Sequence, residues 1–134
     1  MSRGRVPAGA VPPPRTIGPL TQTDVVRFAG AGGDFNPLHH DPEVAAQAGF
    51  DRPIAMGQLT AGLAAAWLTD WCGVEHLRAL RVRFVAPLLI GDVVVLSASL
   101  ATDQSDRAGL SHLDLVASVG ERPVLLGWCT IAST

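Results

Sequence analysis

The most constraining feature of this sequence is the run from Gln58 to Cys72, which carries no charge until Asp70 and repeats Leu59, Leu63, Trp67 and Trp71 at intervals of four. That spacing predicts a helix, with Gly57 before it and Gly73 after it. A rod so uniformly apolar cannot stand in water and has to be covered. The chain that follows supplies the cover. Leu80, Val82 and Phe84 alternate with Arg81 and Arg83, Val93 to Leu96 forms an apolar run, and Leu113, Leu115, Ala117 and Val119 alternate again before Val124 to Ile131. Period two replaces period four, so the expected class is α+β: one long helix wrapped by a curved antiparallel sheet of about five strands.

Upstream, Thr21 and Asp24 read as a helix cap with an acidic first turn, Val25, Val26, Phe28 and Ala29 as the buried side, and Gly30, Gly32 and Gly33 as the stop. Asp41-Pro42-Glu43 begins a second short helix ending at Gly49. Between them, Pro37 keeps Asp34 to His40 out of regular helix. Residues 1–15, with Arg3, Arg5 and Pro12 to Pro14, read as a flexible arm, and residues 16–134 as a single domain.

Composition narrows the partners. Of 134 residues 48% are hydrophobic and 16% charged, the formal net charge is −2, and the basic residues are scattered, so no nucleic-acid surface is expected. The apolar stretch Leu59 to Leu68 is too short for a membrane span. Cys72 and Cys129 lack metal or redox spacing and are expected as reduced, buried thiols of a cytoplasmic protein. All ten basic residues are Arg, which closes Schiff-base chemistry. His40 beside Asp41 does not make a metal pair, because Asp41 is needed as a cap. His76 and His112 are expected at the surface, and Asp70, close to a helix C-terminus, is expected to have a cationic or N–H partner.

The stretch with chemical content is Gly33-Asp34-Phe35-Asn36-Pro37-Leu38-His39. On a helix, residues five apart diverge, so only a loop lets Asp34 and His39 share a target. Asn36, the sole asparagine, and Pro37 are expected to shape that loop. Asp34-x-Asn36-Pro37-x-His39 resembles the hydratase motif of the MaoC-like dehydratases and (R)-specific enoyl-CoA hydratases. Arg52-Pro53-Ile54-Ala55-Met56-Gly57 and Arg83-Phe84-x-x-Pro87 with Gly91-Asp92 resemble further segments of that family.

The resemblance implies a hot-dog fold, a dimer or double hot dog, and catalysis by Asp34 and His39 on one water, with no cofactor beyond the coenzyme A of the substrate. The Gly57 N–H, at the positive end of the long helix, is the expected donor to the enolate oxygen. Because Gly57 lacks a Cβ, substrate is expected to come close to it. Met56 stands where the family commonly has His. Met56, Leu59, Leu63 and Trp67 are the expected acyl-pocket residues, although Trp67 and Trp71 fit a core role better. Arg78, Arg81 and Arg83 suit coenzyme A phosphates and an ordinary half-exposed strand equally. The expected reaction is (R)-specific hydration of enoyl thioesters or the reverse, on acyl-CoA or an acyl carrier protein. The alternatives are the catalytic subunit of a heteromeric dehydratase for bulky acyl groups, a hot-dog thioesterase and a pure acyl-binding module. The helix offers no carboxylate before Asp70, which counts against the thioesterase.

Overall fold

A computed structural model describes residues 4–104 and 108–134. Five strands form one antiparallel sheet: β1 (Arg15–Ile17), β2 (Leu77–Phe84), β3 (Val94–Leu100), β4 (Leu110–Val119) and β5 (Arg122–Ala132), in spatial order β1-β3-β4-β5-β2. Among the described residues three α-helices precede β2: α1 (Gln22–Gly32), α2 (Pro42–Gln47) and α3 (Gly57–Cys72). α3 lies against β2 and β5. This is the α+β layout the sequence predicts. No helix among the described residues is long and apolar enough to cross a membrane.

Local chemistry explains the boundaries. Thr21 accepts from the Asp24 N–H, and the Asp24 carboxylate accepts from the Thr21 N–H, a reciprocal cap that starts α1. The helix runs through Gly30 and Gly32 and stops only at Gly33, which takes the left-handed conformation at φ 70°. β5 begins at Arg122, two residues before the apolar run from Val124, and so includes Pro123. Pro123 faces Ser118 where the register of β4 shifts, a place where the missing N–H is tolerated.

α3 buries Thr60, Ala64, Trp67, Leu68 and Cys72, while Leu59, Leu63 and Trp71 are half-buried. The inward stripe is thus rotated by about one residue from the expected one, with Trp67 common to both. A helix apolar nearly all round carries no internal indication of its inner face. Its C-terminal end is strapped by the segment expected to be a flexible arm, and that expectation is corrected from Val6 onward. Val6 bridges Ser133 in parallel, Pro12 is fully buried, the Trp67 indole N–H donates to the Pro13 carbonyl at 2.9 Å, and Arg15 pairs with Asp70 at 2.9 Å. The first three residues of that arm lie outside the described residues. The buried indole needed an acceptor and the helix-end carboxylate a cation, and the strap provides both.

Two further expectations change. His76 is buried, and His112 is half-buried with its Nδ1 2.9 Å from the Thr130 hydroxyl. Cys72 and Cys129 are free and buried. Burial, reinforced by the neighbouring Cys72, pushes the Cys129 thiol up to about 12.

Removing residues 1–14 deletes the buried Val6 and Pro12 and leaves the Trp67 N–H without its acceptor. It is expected to cost about 3–5 kcal/mol, read as a fall in Tm of at least about 8 °C; an unchanged Tm would show that the strap is not part of the fold. Cys129 is expected to resist alkylation in the native state at pH 9. In the unfolded chain it ionises near the ordinary thiol value, so stability should decline as pH rises from there toward 12. Rapid labelling of Cys129 without unfolding would contradict its placement.

Candidate active site

The segment after α1 is built almost wholly from its own short hydrogen bonds. Gly33 turns the chain, and the Asp34 N–H returns to the Ala29 carbonyl at 3.0 Å. Asp34 Oδ1 accepts from the Asn36 N–H at 3.3 Å, and Asn36 Oδ1 accepts from the Leu38 N–H at 3.0 Å, two successive Asx turns. Pro37 opens a 3-10 turn through His39, and Asp41 caps α2 as expected. Asn36 and Pro37 therefore sit where loop-shaping residues should.

Two neighbours clamp this loop. The Gln22 side-chain amide donates to the His39 carbonyl at 2.9 Å. On the other side the Ile54 N–H donates to the Leu38 carbonyl at 3.1 Å, and the His39 ring Nδ1 lies 2.8 Å from the Ile54 carbonyl. The 53–55 segment is itself fixed to the turn before β3. Ala55 N–H donates to the Leu88 carbonyl at 2.7 Å and Ile90 N–H to the Pro53 carbonyl at 3.1 Å. Asp92 locks that turn by accepting from the Leu89 N–H, with Arg52 and Arg122 at 3.4 and 3.5 Å.

The result is that His39 Nε2 lies 3.3 Å from Asp34 Oδ2, with the imidazole 9% and the carboxylate 46% exposed. A carbonyl oxygen can only accept, so the bond to Ile54 fixes the proton on Nδ1. In the neutral ring Nε2 is then a lone pair facing a carboxylate, two acceptors with no hydrogen between them. One water sitting beside both can donate a hydrogen to each, which leaves its own lone pairs for an electrophile. Protonation of Nε2 would convert the contact into an ion pair. In the neutral ring the loop therefore presents an acceptor pair whose natural occupant is a proton donor.

His39 opens onto an apolar cavity of about 360 Å³ lined by Val25, Val26, Ala29, Gly30, Phe35 and His40. Gly57 opens onto another, of about 340 Å³, with Ile54, Thr60, Phe84, Ala86 and Val124. The two are separate in this chain. Ile54 links them: it lines the Gly57 cavity, and its carbonyl holds the His39 ring that lines the other. The expected acyl-pocket set divides as well. Leu59 and Leu63 line a third cavity with Ile17, Leu20 and Phe28, Met56 is buried in the core as the α3 N-cap, and Trp67 is core. At Gly57 the nearest neighbour of the missing Cβ is a side chain of this same chain. The space a Cβ would take faces the ring of Phe84, 3.0 Å from Cζ. Among the described residues no group of three His, Cys, Asp or Glu could hold a metal.

A family model described as a MaoC like domain matches residues 6–114. The chain belongs to the MaoC-like domain family. It is 33% identical over 86 residues to the peroxisomal multifunctional enzyme type 2 of Mus musculus, covering 62% of this chain and 12% of that protein. It is 35% identical over 111 residues to the 3-hydroxybutyryl-CoA dehydratase of Methylorubrum extorquens, covering 81% of this chain and 69% of that one. Among solved structures, the (R)-hydratase of A. caviae involved in PHA biosynthesis superposes with a TM-score of 0.75 at 24% identity, covering 93% of this chain and 97% of that one. The ChsH1-ChsH2 complex of Mycobacterium tuberculosis gives 0.80 at 23% identity, covering 95% and 98%. The architecture is the hot-dog fold.

Sequence reasoning missed three contributors to this MaoC-like site: the Ile54 carbonyl, the Gln22 amide and the Phe84 ring. The first is a backbone atom, invisible to residue type. Gln22 follows the Thr21 cap and had no signal of its own. Phe84 was present only as an alternating strand residue and as part of the Arg83-Phe84-x-x-Pro87 string.

Proposed function

We propose that this MaoC-like chain is a hydro-lyase that adds water to enoyl thioesters to give (R)-3-hydroxyacyl thioesters, and catalyses the reverse, on acyl-CoA or acyl carrier protein substrates. The observation that carries this reading is the Asp34 Oδ2 to His39 Nε2 separation of 3.3 Å, with Nδ1 already committed to Ile54. Water is a weak nucleophile, and C3 of an enoyl thioester is a weak electrophile until charge can move to the thioester oxygen. A water held by Asp34 and His39 attacks C3 as one of them takes its proton. The C2=C3 electron pair moves toward the carbonyl, and the proton taken from the water is then returned by the Asp34/His39 pair to C2 of the enolate, which restores both side chains. No covalent enzyme intermediate and no cofactor is required by this balance.

The proposed donor to the enolate oxygen is the Gly57 N–H. As the first residue of α3 it has no acceptor within its own helix, and the Met56 cap offers no side-chain hydrogen bond. Because the imidazole and Gly57 open onto separate cavities of one chain, we propose that a second hot-dog subunit, identical or different, roofs both and joins them. The solved ChsH1-ChsH2 complex makes a heteromer a reasonable form of that assembly. A thioesterase reading is less well supported: Asp70, the only carboxylate on α3, lies at its far end and is paired with Arg15.

Hydration of crotonyl-CoA, followed at the enoyl-thioester absorbance, is expected to fall about 10³-fold in Asp34→Asn and in His39→Ala, with the folded state retained. Turnover near the wild-type rate in either variant would remove that residue from the mechanism. Release of free coenzyme A thiol without loss of the alkene would replace hydration by thioester hydrolysis.

A further inference from the structure

Phe84 is the last residue of β2, held opposite Leu125, and its side chain is 48% exposed although large and apolar. Its ring meets the start of α3 end-on. A Cβ built on Gly57 would lie 3.0 Å from Cζ and 3.1 Å from both Cε1 and Cε2 of that ring. These distances are well inside the 3.5–4.0 Å at which carbon atoms rest. The next residues cannot draw Phe84 away, because the Val85 N–H is bonded to the Val124 carbonyl at 3.1 Å. A side chain at position 57 would therefore crowd an aromatic ring. The same ring is the only aromatic wall of the cavity onto which Gly57 opens.

We propose that Phe84 is the specificity-determining residue of this cavity: its ring seals one side of the slot beside the Gly57 N–H and limits the acyl group that can lie there. This rests on the hydratase reading for its substrate, and on the Gly57–Phe84 contact for its geometry. Half-exposed, the ring can rotate outward, whereas the peptide at the head of α3 cannot move without shifting the helix. A methyl at position 57 would push the ring aside and disturb the wall. Truncation at position 84 removes the wall directly.

The experiment is a double-mutant cycle on the full chain with Gly57→Ala, Phe84→Ala and the pair, read by kcat and KM on crotonyl-CoA and trans-2-octenoyl-CoA and by Tm. Phe84→Ala is expected to raise the octenoyl-to-crotonyl ratio of kcat/KM about tenfold. Gly57→Ala is expected to lower crotonyl kcat/KM about tenfold and Tm by about 4 °C in the wild-type background. In the Phe84→Ala background both losses should largely vanish. An unchanged chain-length ratio in Phe84→Ala, or an equal Gly57→Ala loss in both backgrounds, would overturn the proposal, the latter showing that substrate itself needs the glycine. A wild-type protein that turns over neither substrate would end the hydratase reading and the specificity role with it, while the Tm cycle would still decide the contact.

Discussion

The bond from the His39 ring N–H to the Ile54 carbonyl is the contact on which the rest of the site depends. It is buried, it selects the tautomer, and it turns Nε2 toward Asp34. Leaving that ring nitrogen or that carbonyl without its partner would cost about 1–3 kcal/mol. The larger consequence is chemical. With the proton on Nε2 the same two side chains would bond to one another and the imidazole would offer water no lone pair. One backbone oxygen thus separates a self-satisfied hydrogen-bonded pair from an acceptor pair able to hold a water between them.

That oxygen is itself well fixed. Ile54 is bonded to Leu38 on one side and forms an isolated bridge with Leu89 on the other, and Ala55 and Pro53 are tied to the Leu88 and Ile90 backbone. Behind this lies Asp92, 10% exposed, which accepts from the Leu89 N–H and draws Arg52 and Arg122 together. Three segments distant in sequence, 34–41, 52–57 and 88–92, form one hydrogen-bonded unit at the head of α3. The sheet and the N-terminal strap hold the opposite end of the helix through Trp67 and Asp70. The helix is therefore anchored at both ends, with Asp34 and His39 gathered at one.

Much of this was legible from residue types. Capping at Thr21 and Asp41, the loop at Pro37, the long apolar rod and the alternating strands each follow from a local rule, and the structure bears them out. The convergence of Asp34 and His39 was legible too, since Asn36 and Pro37 dictate turn geometry. What escaped notice depends on atoms or faces that carry no residue signature. The inner side of α3 could not be read because Leu59 and Ala64 are equally apolar. The strap at 6–15 looked free because Gly and Pro usually mark loose chain, yet Pro12 and the Pro13 carbonyl are what the buried Trp67 end of α3 needs. The separate cavities of His39 and Gly57, and the ring that fills the missing side chain at position 57, arise from tertiary placement alone.

The central claim is the tautomer of one imidazole, and it can be observed without substrate. In a uniformly ¹⁵N-labelled sample, two-bond correlations of the His39 ring at a pH where it is neutral distinguish a protonated Nδ1 from a protonated Nε2. The account predicts the Nδ1-protonated form, lost when the loop is unfolded. A ring protonated on Nε2 in the native protein would contradict it, because His39 would then be donating to Asp34 and no acceptor pair for water would exist.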